Sequence, residues 1–346
     1  MRTGASWLVL ALLTVASAVL LDWLGLPSAT LFAALLVGLA AALLRPRAAL
    51  QVPGRLFVAA QAVLGVTIGG YLDPDALEAV AGSWLPVALV SAGTLGLSIA
   101  AGAILARTTE LDRTTAILGS VAGGASGIVG MARDLGGDDR LVAFMQYLRV
   151  LVVVLITPLV VVAFGADGGG SAPHEAVFAG PRDWLITAAI APTAIVARRV
   201  GIPAGMLMGP LLVAGALTLA GLDFVVPPVL RELSFALIGL QVGLRFTLDT
   251  VRLLGRLLLP VLAALAGLLI GSFGLAVVLH LTTDVTLRDA YLATTPGGIY
   301  AVLAIALGAD GDTTFIVAVQ SVRILVAILI APLAVRRSAR AGRPRA

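Results

Sequence analysis

The sequence predicts an all-α membrane protein of two inverted-topology repeats, with about ten transmembrane helices and two Gly-Gly segments that are re-entrant or broken helices. Three observations carry this. Hydrophobic residues make up 60% of the chain and charged ones only 12%, against about 25% charged in a soluble globular protein. Apolar runs long enough to cross a bilayer recur along the chain. The second half repeats the motifs of the first.

A crossing needs about 20 apolar residues, fewer inside a bundle. In the first half such runs cover residues 7–24, 27–44, 53–71, 84–106 and 140–164. In the second they cover 184–200, 203–221, 227–244, 257–281 and 314–335. Residues 113–133 and 287–308 are also apolar, but small residues and glycine pairs interrupt them. Arg2, an apolar run and Ala16-Ser17-Ala18 have the outline of a signal peptide. The run has a mid-chain counterpart near Trp184–Val196, so a retained span is expected instead. Residues 165–183, "GADGGGSAPHEAVFAGPRD", have linker composition. The expected organisation is a first membrane repeat at 1–164, a linker at 165–183, a second repeat at 184–337 and a basic cytoplasmic tail at 338–346.

The duplication is explicit at an offset of 174. "QYLRVLVVVLITPLVV" (146–161) lies on "QSVRILVAILIAPLAV" (320–335), with nine of sixteen positions identical, Gln, Arg and Pro among them. The same offset pairs Gly65 with Gly239, Gly69 with Gly243, Pro86 with Pro260, and Gly123-Gly124 with Gly297-Gly298. Nearer the start the offset is 176, and "GLPSATLF" (25–32) lies on "GIPAGMLM" (201–208). Repeats of this kind underlie many secondary-transporter folds.

Charge sets the orientation. With Arg2 cytoplasmic, two crossings return the chain inside at Arg45, Arg47 and Arg55, and the acidic "YLDPDALEAV" lies outside. The fourth crossing returns inside at Arg107 and Arg113. If 113–133 then crosses fully, Arg198, Arg199, Arg245, Arg252 and Arg256 fall outside, against the positive-inside rule. If it enters and leaves on one face, all of them are cytoplasmic, with Arg336 and Arg337 of the tail. The second such segment then dips in from outside, and the halves are inverted. The alternative keeps the glycine segments as broken crossings and merges two other spans.

The glycine segments read "AILGSVAGGASGIVGMA" (116–132) and "AYLATTPGGIYAVLAIA" (290–306). Gly-Gly lets the chain turn without a Cβ penalty, and Pro296 resists a continuous helix. Arms of about ten residues reach ~15 Å, half of the hydrocarbon core. Half-helix ends at such a tip leave N–H and C=O groups free for polar solutes; Ser120, Ser126, Thr294, Thr295 and Tyr300 add hydroxyls. The alternative is that these glycines only allow close helix contact, the reading favoured for Gly65, Gly69, Gly239 and Gly243.

Arg149 lies deep in its span, with Gln146 three residues before it on the same face; Arg323 and Gln320 repeat the pair. A buried arginine costs at least ~2.5–3.5 kcal/mol on insertion scales. No Asp or Glu lies deep in a clear span to offset it. The partners left are backbone carbonyls of the glycine segments or an anionic ligand, and five donors per guanidinium allow both.

These blocks resemble the AbrB family of bacterial membrane proteins: "GSVAGGASGIVGMARDLGGDDRLVAFMQYLRVLVVVLITP" and its echo "ATTPGGIYAVLAIALGADGDTTFIVAVQSVRILVAILIAP" carry the resemblance, which covers about residues 7–337. The family is distinct from the soluble DNA-binding regulator of the same name. It carries an internal duplication and has been labelled both an ammonia monooxygenase and a regulator of gene expression. Many copies have proline before Gly-Gly; here the first repeat has Ala122. The oxygenase label does not suit the residues. Copper or iron sites need His, Cys or carboxylate clusters, and this chain has no Cys and only His174 and His280.

The expectation is a non-enzymatic secondary transporter or exporter of a small, anionic solute in the bacterial cytoplasmic membrane, crossing it many times and working by alternating access. The alternative is a membrane sensor or regulator of gene expression that binds such a ligand without moving it. The candidate substrate-binding residues are Gly123, Gly124, Ser126, Gln146, Arg149, Thr294, Thr295, Pro296, Gly297, Gly298, Gln320 and Arg323. No catalytic residue, metal ligand or cofactor is expected. Candidate partners are the small-molecule anion, the lipid bilayer, a coupling ion (Na+ or H+) and a second copy in a homodimer. Nucleic acid is not among them, since the basic tail "RRSARAGRPRA" reads as a solvated arm at anionic lipid.

Overall fold

The computed structural model describes residues 2–24, 26, 28–44, 50–72, 78, 81–122, 128, 132, 135–164, 179–202, 205–245, 255–308 and 311–341. They form fourteen helices and, among the described residues, no strand. The first half supplies α1 (Arg2–Trp23), α2 (Ala29–Leu44), α3 (Gly54–Gly70), α4 (Trp84–Thr108), α5 (Arg113–Ser120) and α6 (Asp139–Ala163). The second supplies α7 (Pro181–Ile190), α8 (Thr193–Arg199), α9 (Gly205–Leu219), α10 (Pro228–Gly243), α11 (Leu258–Thr282), α12 (Leu287–Thr294), α13 (Ile299–Gly308) and α14 (Thr313–Ala341).

Among the described residues, four helices are long and apolar enough to cross a membrane: Ser6–Trp23 within α1, and α4, α6 and α11. Shorter apolar helices are α2, α3, α9 and Thr313–Ile324 within α14. Large apolar side chains line their outer faces, such as Leu12, Val19 and Trp23 on α1 and Leu259, Ile270 and Leu281 on α11. A soluble monomer rarely exposes such continuous apolar surface; against lipid it carries no penalty.

Local chemistry moves some boundaries. The run expected at 184–200 divides into α7 and α8 at Ala191-Pro192, because Pro192 has no N–H to continue the helix. The freed Ile190 carbonyl accepts from Thr193 Oγ1 at 2.7 Å. The glycine segments are broken as expected. α5 ends at Ser120, with Val121 extended; α12 ends at Thr294, and four residues pass before α13 begins. α14 runs on to Ala341, so the start of the basic tail is helical.

The chain forms two compact units, each drawing on both halves of the duplication. The first comprises Met1–Glu78, Val154–Asp249 and Tyr300–Thr314. Within it α2 lies on α1 and α10, and α3 lies on α9 and α10. The contacts obey the repeat. A Cβ on Gly65 would collide with the Leu207 carbonyl of α9, and a Cβ on Gly239 with the Leu31 carbonyl of α2. One turn on, Gly69 meets the Leu211 carbonyl and Gly243 meets that of Leu35. Leu31 and Leu207, like Leu35 and Leu211, are related by the offset of 176. Two helix pairs are thus drawn to backbone contact by equivalent glycines. Ala34, Val52, Leu240 and Leu244 fill one core cluster, and Val66, Ile190, Ala214 and Val226 another.

The second unit comprises Ala79–Val153, Thr250–Ile299 and Phe315–Ala346. Here α4 lies on α11, α5 on α4, and α12 on α11. Leu95, Ile117, Leu118, Val121, Val142 and Ala327 belong to one buried cluster.

Candidate functional site

Both half-helices of the second unit are set at their N-termini by side-chain caps. Asp112 accepts from Thr115 N at 2.8 Å to start α5, and Thr286 accepts from Asp289 N at 3.1 Å to start α12. Each helix is eight residues long, and their bounds differ by 174 throughout. Their C-terminal carbonyls have no next turn to bond, which would be costly in a buried place.

The Gln–Arg pairs meet that need. Gln146 Nε2 donates to Leu118 O at 2.7 Å and Val121 O at 2.9 Å. Arg149 Nη1 donates to Val121 O at 2.9 Å, and its Nη2 to Gln146 Oε1 at 2.7 Å. The second copy repeats the pattern. Gln320 Nε2 donates to Leu292 O at 2.8 Å and Thr295 O at 3.3 Å. Arg323 Nη1 donates to Thr295 O at 2.6 Å and Thr294 O at 3.3 Å, and its Nη2 to Gln320 Oε1. Arg149 is 4% exposed, Arg323 3%, and both glutamines are fully buried, so water does not make these bonds.

The electrostatics are one-sided. Among the described residues neither guanidinium has a carboxylate partner. A helix C-terminus carries roughly −0.5 charge, so the ends of α5 and α12 offset part of each arginine and not all of it. Each arginine also keeps a buried Nε with no partner among the described residues.

The sequence model of the family described as "Transition state regulatory protein AbrB" matches residues 30–339, a span that includes both Gln–Arg clamps. The chain belongs to the AbrB family. It is 36% identical over 299 residues to "Putative regulator AbrB" of Escherichia coli (strain K12), covering 83% of this chain and 84% of that one. It is 24% identical over 345 residues to "Uncharacterized protein YhjN" of Bacillus subtilis (strain 168), covering 92% and 90%.

In this AbrB-family chain the structure joins Gln146 and Arg149 to the end of α5, and Gln320 and Arg323 to Thr294 and Thr295. The threonine hydroxyls face their own helix: Thr294 Oγ1 donates to Ala290 O at 2.9 Å and Thr295 Oγ1 to Tyr291 O at 2.6 Å. They therefore help end α12, and their lone pairs are what they could offer a solute. Pro296 and Gly297 are buried and Gly298 half-buried beside Val150. Gly123, Gly124 and Ser126 lie outside the described residues, as does the side chain of Tyr300.

Two features of this AbrB-family protein escaped sequence reasoning. One is a small pocket at the end of α5, where Ser120 and Arg149 meet α11. No periodicity brings α11 to that place; only tertiary contact does. The other is Glu232, on the first turn and a half of α10, whose Oε2 accepts from Thr30 Oγ1 at 2.6 Å. No spacing along the chain names Thr30, 202 residues away, as its partner.

Proposed function

We propose that this protein is a membrane transporter that moves a small organic anion by alternating access, with its solute held near the Gln146–Arg149 and Gln320–Arg323 clamps. The observation that carries the reading is the pair of buried guanidiniums whose only described partners are neutral carbonyls and amides. An anion would supply the missing charge. Its donors would be the remaining guanidinium N–H groups, together with the backbone N–H groups of Gly298 and Ile299 at the start of α13. The two glycine-flanked tips, Gly123, Gly124 and Ser126 among them, form the rest of the proposed site.

The reading includes inverted repeats, about ten crossings and two segments that dip in from opposite faces of the bacterial cytoplasmic membrane. Support comes from the 174-residue duplication and from the reciprocal contacts of Gly65 with Leu207 and Gly239 with Leu31. Motion of the bundle that carries the half-helices against the remaining helices would expose the solute to each side in turn. A coupling ion, Na+ or H+, and a homodimer belong to the same proposal. No catalytic step, metal or cofactor does.

The test is flux into liposomes with a panel of radiolabelled carboxylates. Arg149→Lys and Arg323→Lys keep the charge and lose the fork that reaches carbonyl and amide together; each should lower uptake at least tenfold with insertion intact. Undiminished uptake in both variants removes the site. A second reading, a ligand-binding membrane sensor, has one point in its favour: the relative from Escherichia coli carries the word regulator in its name. Binding of a carboxylate with no net flux in the same liposomes would favour it.

A further inference from the structure

We propose that the break between α12 and α13 is the joint of a gate, with Gly298 as its hinge, and that the first glycine segment is its fixed counterpart. The two segments are copies of one design, yet they are fastened differently. In the first, Ile128 and Ala132 lie in the buried cluster that holds Ile117, Leu118 and Val121. Both sides of that segment belong to the second unit. In the second segment the sides part company. α12 is tied within the second unit, by Thr294 Oγ1 to Ser272 O at 3.2 Å and by Gln320 and Arg323 to its last carbonyls. From Tyr300 onward α13 belongs to the first unit, where Ser28 Oγ donates to Ala304 O. Ser28 holds φ 54°, a left-handed backbone that costs an L-residue energy. Its equivalent in the second repeat is Ala204, which has no hydroxyl to make such a tie.

Gly298 sits at the junction. A Cβ there would meet Val150 at 3.4 Å, an ordinary contact, and its φ lies outside the left-handed region. Gly65, Gly69, Gly239 and Gly243 are different, since a Cβ on any of them would come within 2.3–2.6 Å of a neighbouring atom. Glycine loses more conformational freedom on folding than any other residue. At Gly298 neither space nor backbone demands that cost in the arrangement seen. A second arrangement, in which the joint takes a backbone conformation closed to other residues, accounts for it. A hinge needs a few residues at the end of an element that absorb the change while the arms stay fastened. Gly298 has that place, with one arm tied into each unit. The inference rests on the transport reading for its purpose, but the joint itself requires neither flux nor an anion.

The experiment uses the full chain in lipid nanodiscs. The chain has no Cys, so spin labels can be placed on Val19→Cys in the first unit and Thr282→Cys in the second, both exposed positions. Double electron–electron resonance should find two distance populations. Gly298→Ala should lower one of them about tenfold with Tm retained; Gly298→Ser serves if the alanine variant does not fold. Gly267→Ala, inside α11 and facing open space, should leave both populations as they are. A single population in the parent chain, two populations that Gly298→Ala leaves unchanged, or the same loss in Gly267→Ala overturns the proposal. Carboxylate uptake into liposomes separates it from the transport reading. Two populations governed by Gly298 without uptake remove transport and keep the joint; uptake with a single population does the reverse.

Discussion

Gln146 and Gln320 do the same work at the residue scale: each closes two carbonyls of a half-helix and accepts from its arginine. Replacing either by Leu strands one buried acceptor, Leu118 O or Leu292 O, and a charged donor, while Val121 O and Thr295 O keep their arginine. Each Gln→Leu variant should lose about 3 kcal/mol or more of stability, read as a matched drop in Tm in detergent. A drop in one copy only would mean that the equivalent bonds are not equivalent in energy. Gln146→Glu should be no rescue. It adds a charge for Arg149 but turns an oxygen, in place of N–H donors, towards Leu118 O and Val121 O. The residue scale was the most legible in the sequence. Gln-x-x-Arg at i and i+3 in an apolar run already required buried acceptors, and the proposed carbonyl partners are present. Which carbonyls they are was not legible, because Leu118 and Leu292 lie 28 residues away and offer only backbone.

At the element scale the glycines separate into two kinds. Gly65 and Gly239 bring helices to backbone contact, and a side chain there has nowhere to go. Gly65→Val and Gly239→Val should each destabilise by about 1–3 kcal/mol or more, seen as lower Tm and lower yield. Gly267, inside α11, faces open space. Gly267→Ala should raise stability by up to about 1 kcal/mol, and a loss there would mean that another surface covers α11. The sequence marked these positions through the duplication and could not name the opposing residue. The division of 184–200 into α7 and α8 was legible in Pro192 alone, but a 17-residue apolar run masked it. Hydropathy sums over a window, whereas a proline acts at one bond.

For the whole molecule the decisive quantity is orientation. The chain has no Cys, so single cysteines can be introduced without background. With inverted halves and five full crossings before the linker, the linker is expected outside. Ser171→Cys should label with a membrane-impermeant maleimide in intact cells, and Ser338→Cys only after the membrane is opened. Labelling of both from one side would exclude the proposed inversion. The compact units, meanwhile, are not the two halves in order. Each takes helices from both repeats, as in α2 with α10 and α3 with α9.

By itself the sequence determined the helical class, the duplication, the broken glycine segments and the family, because each follows from composition, from spacing or from self-comparison along one chain. Tertiary structure alone decided which carbonyls end under Gln146 and Arg149, which backbone Gly65 touches, and that α11 lines a pocket with Ser120. Those facts depend on residues far apart in the chain arriving at one place, and apolar side chains, which attract without direction, do not record in their order which partner they will meet.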